Sequence, residues 1–205
     1  MIEVAVLDYG ISNVGSVQNA FDFIGVKSKL VHKAQDLADC SHVVVPGDGS
    51  FPEGMACLKQ TGLDEAVLRA AECGKMILGI CLGMQLFADQ GEEFGVTQGL
   101  GLIPGRIVLM QPNDPALTLP QVGWNDVTML DHSRLGDGLD GRAAFYFMQS
   151  FVFSDPSAPH VTARCDYGGP HVSAVEKGNV MGVQFHPEKS QRAGLRMLKT
   201  FAALS

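Results

Sequence analysis

The chain has 205 residues, 46% of them hydrophobic and 18% charged, with a formal net charge of −7. The composition is globular, far from the disordered regime, and the length suits a single domain over residues 1–205 that buries its core without staples. The acidic balance argues against nucleic acid as the main partner, because phosphate binding needs a basic face.

The longest apolar runs, such as Met76–Ile80, are too short to cross a bilayer. Met1-Ile2-Glu3-Val4 lacks the basic flank and long apolar stretch of a signal peptide, so a cytoplasmic protein without membrane contact is expected. Five cysteines, at 40, 57, 73, 81 and 165, form no C-x-x-C pair. Reduced thiols are expected, four of them as small core residues.

Ile2–Leu7 reads as a buried strand, and Val14–Ile24 as a helix with Asn13 as N-cap and Gly25 just past its end. Val26–Val31 and His42–Val45 are strands, the latter stopped by Pro46-Gly47. A helix over Leu63–Cys73 ends at Gly74. A strand over Lys75–Ile80 then runs directly into a helix over Leu82–Asp89. Strands alternating with helices predict a parallel sheet covered on both faces. The second half is strand-rich: Arg106–Met110, Val122–Met129, Ala144–Phe153, Val161–Asp166, and Val172–Lys177 with Val180–His186 around a Gly178-Asn179 hairpin turn. A closing helix over Gln191–Leu204, capped by Ser190, turns Leu195, Leu198 and Phe201 to one face.

Cys81 lies between Gly79 and Gly83 where strand meets helix. That spacing permits a sharp turn that lifts a nucleophile to the carboxyl edge of the sheet and leaves the Leu82 N–H free for an oxyanion. The helix N-terminus also favours negative charge on the sulfur. His186, two residues before Glu188, supplies a base: in extended backbone i and i+2 share a side, roughly 6–7 Å apart. Pro187 keeps His186 out of the helical region, and the carboxylate fixes the imidazole tautomer. The remaining histidines, His32, His42, His132, His160 and His171, lie in polar or turn-like segments and read as surface residues. Pro46-Gly47-Asp48-Gly49 follows a strand, where a backbone N–H of Asp48 or Gly49 can join that of Leu82. No Lys-Ser or Lys-Thr follows at phosphate-loop spacing.

Gly79-Ile80-Cys81-Leu82-Gly83-Met84-Gln85 resembles the nucleophile motif of class I glutamine amidotransferases, and Gly182–Glu188 resembles their histidine–glutamate motif. Within that family, Asp8-Tyr9-Gly10, Pro46-Gly47-x-Gly49-x-Phe51, Gly123-Trp124-Asn125 and Glu188-Lys189-Ser190 resemble the glutaminase subunits of imidazole glycerol phosphate synthase, of histidine biosynthesis. The resemblance implies a flavodoxin-like α/β fold and hydrolysis of glutamine to glutamate and ammonia by Cys81, His186 and Glu188. It implies no metal or organic cofactor, and ammonia transfer to a (β/α)₈-barrel cyclase in a heterodimer. It places bound glutamine on Gly49, Gln85 and Gln149-Ser150-Phe151, and the cyclase near Tyr9, Asn13 and Trp124. The chain departs from the family pattern at Asp48, usually apolar, and at Gln149-Ser150-Phe151, usually His-Ser-Tyr. A glutaminase of another pathway, a cysteine peptidase on the same fold and a weakly active scaffold subunit are the alternative readings.

Overall fold

A computed structural model describes residues 3–205; the expected start of the first strand at Ile2 lies outside them. The first half contains strand β1 (Val4–Leu7), helix α1 (Val14–Phe23), strands β2 (Ser28–Val31) and β3 (His42–Val45), helices α2 (Phe51–Thr61) and α3 (Leu63–Glu72), strand β4 (Met76–Ile80) and helix α4 (Leu82–Gln85). The second half contains β5 (Gln90–Gly91), β6 (Thr97–Gln98), β7 (Arg106–Leu109), β8 (Gln121–Met129), β9 (Arg142–Gln149), β10 (Phe151–Phe153), β11 (Val161–Asp166), β12 (Pro170–Lys177), β13 (Val180–Val183) and helix α5 (Gln191–Ala203).

Among the described residues the main sheet has nine strands, in the order β2-β1-β3-β4-β13-β12-β11-β8-β9. The five from β2 to β13 are parallel, and β12, β11, β8 and β9 continue antiparallel. This is the expected α/β layout with a parallel core and an antiparallel second half. A second sheet, β10-β7-β5-β6, stands beside it. Apart from the edge strand β2, Ser28-Lys29-Leu30-Val31, the parallel strands read as nearly unbroken apolar runs because both faces are covered. Val4, Val6, Val44 and Leu78 pack with Val17 and Phe21 of α1 and with Leu198 and Phe201 of α5. Ala5, Leu7, Val43, Val45 and Ile77 pack on the other side with Leu58 of α2 and Val67 of α3. Each large apolar side chain buried this way contributes about 1.5–3 kcal/mol before entropy is counted.

Several expectations are corrected. Helix α2 follows the glycine-rich turn, in a stretch to which the sequence reading assigned no element: Pro52 sits in its first turn, where a missing N–H costs nothing, and Phe51, Met55 and Leu58 form the buried stripe. The strand expected over Ala144–Phe153 breaks at Ser150, whose carbonyl accepts from the Met110 N–H at 2.8 Å, so β9 stays in the main sheet and β10 joins the second. Helix α4 stops after four residues because the carbonyls of Leu86, Phe87 and Ala88 are taken by Leu100, Ile103 and Gly101. Ser190 does not cap α5 with its side chain. His42 is buried, bonded to the Leu204 carbonyl at 3.1 Å and edge-on to Phe201. Of the four cysteines expected in the core, Cys40 and Cys165 are buried, Cys57 is half-buried and Cys73 is exposed.

Candidate active site

Strands β3, β4 and β13 end together, with Val45 opposite Gly79 and Gly79 opposite Gly182. Open α/β sheets place their sites beyond such carboxyl ends. Here the Pro46–Gly49 turn, Cys81 and His186 emerge side by side. The Cys81 N–H donates to the Val183 carbonyl at 2.8 Å, tying the elbow to β13.

Cys81 has φ 54° and ψ −113°, a conformation that costs a non-glycine residue about 1–3 kcal/mol. Surrounding contacts hold it there. A Cβ on Gly79 would meet the Met84 amide at 2.6 Å, and one on Gly83 would run into the Val45 carbonyl, so strand and helix approach only because both positions lack side chains. Leu82 opens α4, and a first helical N–H has no intrahelical acceptor.

His186 Nδ1 meets Glu188 Oε1 at 2.8 Å, with the two side chains only 5% and 2% exposed. Nε2 has no hydrogen-bond partner among the described residues and is the ring nitrogen that Glu188 leaves free. Burial alone would lower the His186 pKa, but interactions with Cys81 and Glu188 outweigh it and push it up to about 10. Ser190 Oγ donates to the His186 carbonyl at 2.6 Å and accepts from the Tyr146 N–H at 3.0 Å, while the His186 N–H donates to the Tyr146 carbonyl. Ser190 therefore splices the histidine segment to β9, a stronger use of its hydroxyl than a helix cap.

Beside Cys81 lies a cleft of about 230 Å³ lined by Asp48, Gly49, Leu82, Gln85, Glu93, Pro120 and the Met148–Phe151 wall. Every residue expected to hold glutamine, namely Gly49, Gln85, Gln149, Ser150 and Phe151, lies on it. Gln149 Nε2 donates to Gln121 Oε1 at 2.7 Å, and Gln149 Oε1 is buried without a partner, an acceptor waiting in the wall. The Asp48 N–H, one of two expected oxyanion donors in its turn, instead donates to the Ile11 carbonyl at 2.9 Å. That bond leaves Gly49 as the available amide in this conformation.

A profile of the glutamine amidotransferase class-I family matches residues 5–204. The chain is 41% identical to imidazole glycerol phosphate synthase subunit HisH 2 of Nitrobacter winogradskyi over 207 residues, covering 98% of each. It is 42% identical to subunit HisH of Caulobacter vibrioides over 208 residues, again covering 98% of each. The chain belongs to the class I glutamine amidotransferases. The fold of the PurLQS structure from Thermotoga maritima superposes with a TM-score of 0.77 at 19% identity, covering 98% of this chain and 97% of that one. A crystal structure of a glutamine amidotransferase gives 0.74 at 22% identity, over 97% and 98%.

Two residues of this amidotransferase site escaped the sequence reading. Gln184 is fully buried with Nε2 3.9 Å from Cys81 Sγ; its signal was a polar residue in an apolar strand, two positions before His186 and so on the same side. Glu93 lies on the cleft and its Oε2 accepts from the Phe51 N–H at 2.8 Å. Nothing in the sequence separates it from the neighbouring Glu92, because only the hairpin between β5 and β6 decides which carboxylate turns inward. On the expected partner side, Trp124 is 50% exposed and edge-on to Tyr146, and Val122 on the same strand face is 58% exposed. Asn13 is exposed but serves as the cap of α1, accepting from the Ser16 N–H. Tyr9 contradicts the expectation of an outward contact: it is 3% exposed and its hydroxyl donates to the Pro46 carbonyl at 2.6 Å, buttressing the turn from behind.

Proposed function

We propose that this chain hydrolyses glutamine to glutamate and ammonia as the glutaminase subunit of imidazole glycerol phosphate synthase, in histidine biosynthesis, with Cys81, His186 and Glu188 as its triad. The arrangement at the elbow carries the reading: a strained nucleophile beside a cleft, with an imidazole whose far nitrogen is held by a buried carboxylate. Full-length likeness to HisH subunits supplies the pathway.

In this mechanism the Cys81 thiolate attacks the glutamine side-chain carbonyl carbon. The oxyanion takes N–H groups from Leu82 and Gly49. His186 gives its proton to the departing ammonia, and a water deprotonated by His186 then splits the thioester to glutamate and free thiolate. Glu93 and the unpaired Gln149 oxygen are acceptors suited to the α-ammonium of glutamine. Ammonia passes to a (β/α)₈-barrel cyclase, for which the exposed Val122–Trp124 face beside Tyr146 is the docking candidate.

A glutamine-site affinity label tests the assignment. It should modify Cys81 and spare the exposed Cys73, and Cys81→Ala should remove hydrolysis while keeping the fold. Labelling at Cys73 with hydrolysis intact in Cys81→Ala would overturn the assignment.

A further inference from the structure

Gln184 stands between the elbow and the cleft, and its amide can face only one way. The Phe151 carbonyl can only accept, so it draws Gln85 Nε2, at 2.9 Å. The same nitrogen gives its other proton to Gln184 Oε1 at 3.0 Å. With its oxygen occupied, Gln184 turns Nε2 toward Cys81 Sγ, 3.9 Å away. Reversing Gln85 would set oxygen against the Phe151 carbonyl, and reversing Gln184 would set nitrogen against nitrogen and its oxygen against the sulfur, all in a buried place. Both protons on Gln85 Nε2 are committed, so a molecule in the cleft meets only its oxygen.

We infer that Gln184 is a positioning residue for two groups at once: it aims an N–H at the nucleophile sulfur, and it holds Gln85 as an acceptor that selects ligands presenting an N–H donor at that point of the cleft. The inference rests on Cys81 being the nucleophile. An N–H pointed at sulfur stabilises negative charge there. At 3.9 Å the contact is long, which places its effect at the lower end of hydrogen bonds to charged groups, about tenfold.

The titratable groups around Cys81 are His186 with Glu188 behind it, Tyr9 (itself beside Cys57), and Asp48 and Glu93 on the cleft. None is altered in Gln184→Met, which keeps length and removes both polar atoms. The test follows alkylation of Cys81 by iodoacetamide against pH, read by peptide mass spectrometry on the full chain, together with the glutamine KM in the presence of the cyclase. Gln184→Met should slow alkylation near pH 7 about tenfold, moving its midpoint up about one pH unit, and should raise the glutamine KM. Gln184→Glu, which sets a carboxylate oxygen against the sulfur, should slow alkylation further. An unchanged midpoint and KM in a folded Gln184→Met chain would overturn the inference. If that variant does not fold, the unsubstituted chain decides: the Gln184 side-chain amide signals should shift when Cys81 is alkylated, and signals that do not move would overturn it. Failure of the affinity label to reach Cys81 would instead sink the nucleophile assignment, so the two failures are distinct.

Discussion

Around Cys81 three side chains set the local charge, and each yields a measurable effect. Asp48 is exposed and lines the cleft; a carboxylate turned toward the proposed oxyanion would oppose the negative charge that the amides there are to stabilise. Removing one oxyanion donor costs roughly 10²–10³ in rate, so a misplaced charge has leverage. Asp48→Val should raise glutamine turnover, most of all at low ionic strength, where screening is weakest; turnover equal to the parent's at every salt concentration would show that the carboxylate plays no part. His186 carries the pH dependence. Burial lowers its pKa, but Cys81 and Glu188 raise it from 6.5 to about 10. A group raised on folding stabilises in full below its unfolded value and loses that contribution as pH climbs through the folded one. Glu188→Gln should therefore depress the melting temperature most near pH 6, with the gap to the parent closing toward pH 10. Thermal melts across that range test it, and a constant gap would assign Glu188 to packing alone.

Elements are placed around the site by close backbone approach. Strand β4 turns into α4 against the end of β3, with the Gly83 α-carbon set against the Val45 carbonyl. Gly83→Ala should destabilise the chain by about 3 kcal/mol or more, since the obstruction is backbone that no rotamer change relieves. Gly15 in α1 has nothing within 4 Å of an added Cβ, so Gly15→Ala should instead be neutral or stabilising by up to about 1 kcal/mol. Urea denaturation of the two variants measures the contrast, and equal midpoints would remove the packing argument for the elbow. The break at Ser150 is the other decisive junction. It carries one strand-forming segment from the main sheet to the second, and the corner at Gln149-Ser150 becomes the wall of the cleft.

On the scale of the whole molecule, the resting site is tied to a distant turn. The Asp48 N–H is held by the Ile11 carbonyl, in the turn that leads to Asn13 and α1. If the proposed cyclase displaces that turn, the Asp48 amide is freed to join those of Leu82 and Gly49 at the oxyanion, and hydrolysis should be slow in the isolated chain, faster with the cyclase and faster by orders of magnitude with cyclase and its substrate. Steady-state glutaminase assays in those three conditions check it, and full activity in the isolated chain would discard the coupled model. Much of this was legible beforehand. Apolar runs marked the inner parallel strands, because strands buried on both faces leave no polar alternation. G-x-C-x-G at a strand–helix junction marked the elbow, and the i, i+2 spacing of His186 and Glu188 marked the pair, because backbone geometry alone brings those side chains together. Local sequence also determined the Asn13 cap and the Gly178-Asn179 hairpin, both settled within four residues. The tertiary structure decided what depends on distant partners: where α4 stops, since residues near 100 take the carbonyls of the three residues after it; which way the Asp48 amide points, since Ile11 accepts from it; that Tyr9 is buried, since Pro46 lies over it; and that Gln184 faces the sulfur, since an acceptor-only carbonyl at Phe151 orients two amides in turn. Hydrogen bonds between residues far apart in the chain leave no periodicity for a sequence to display.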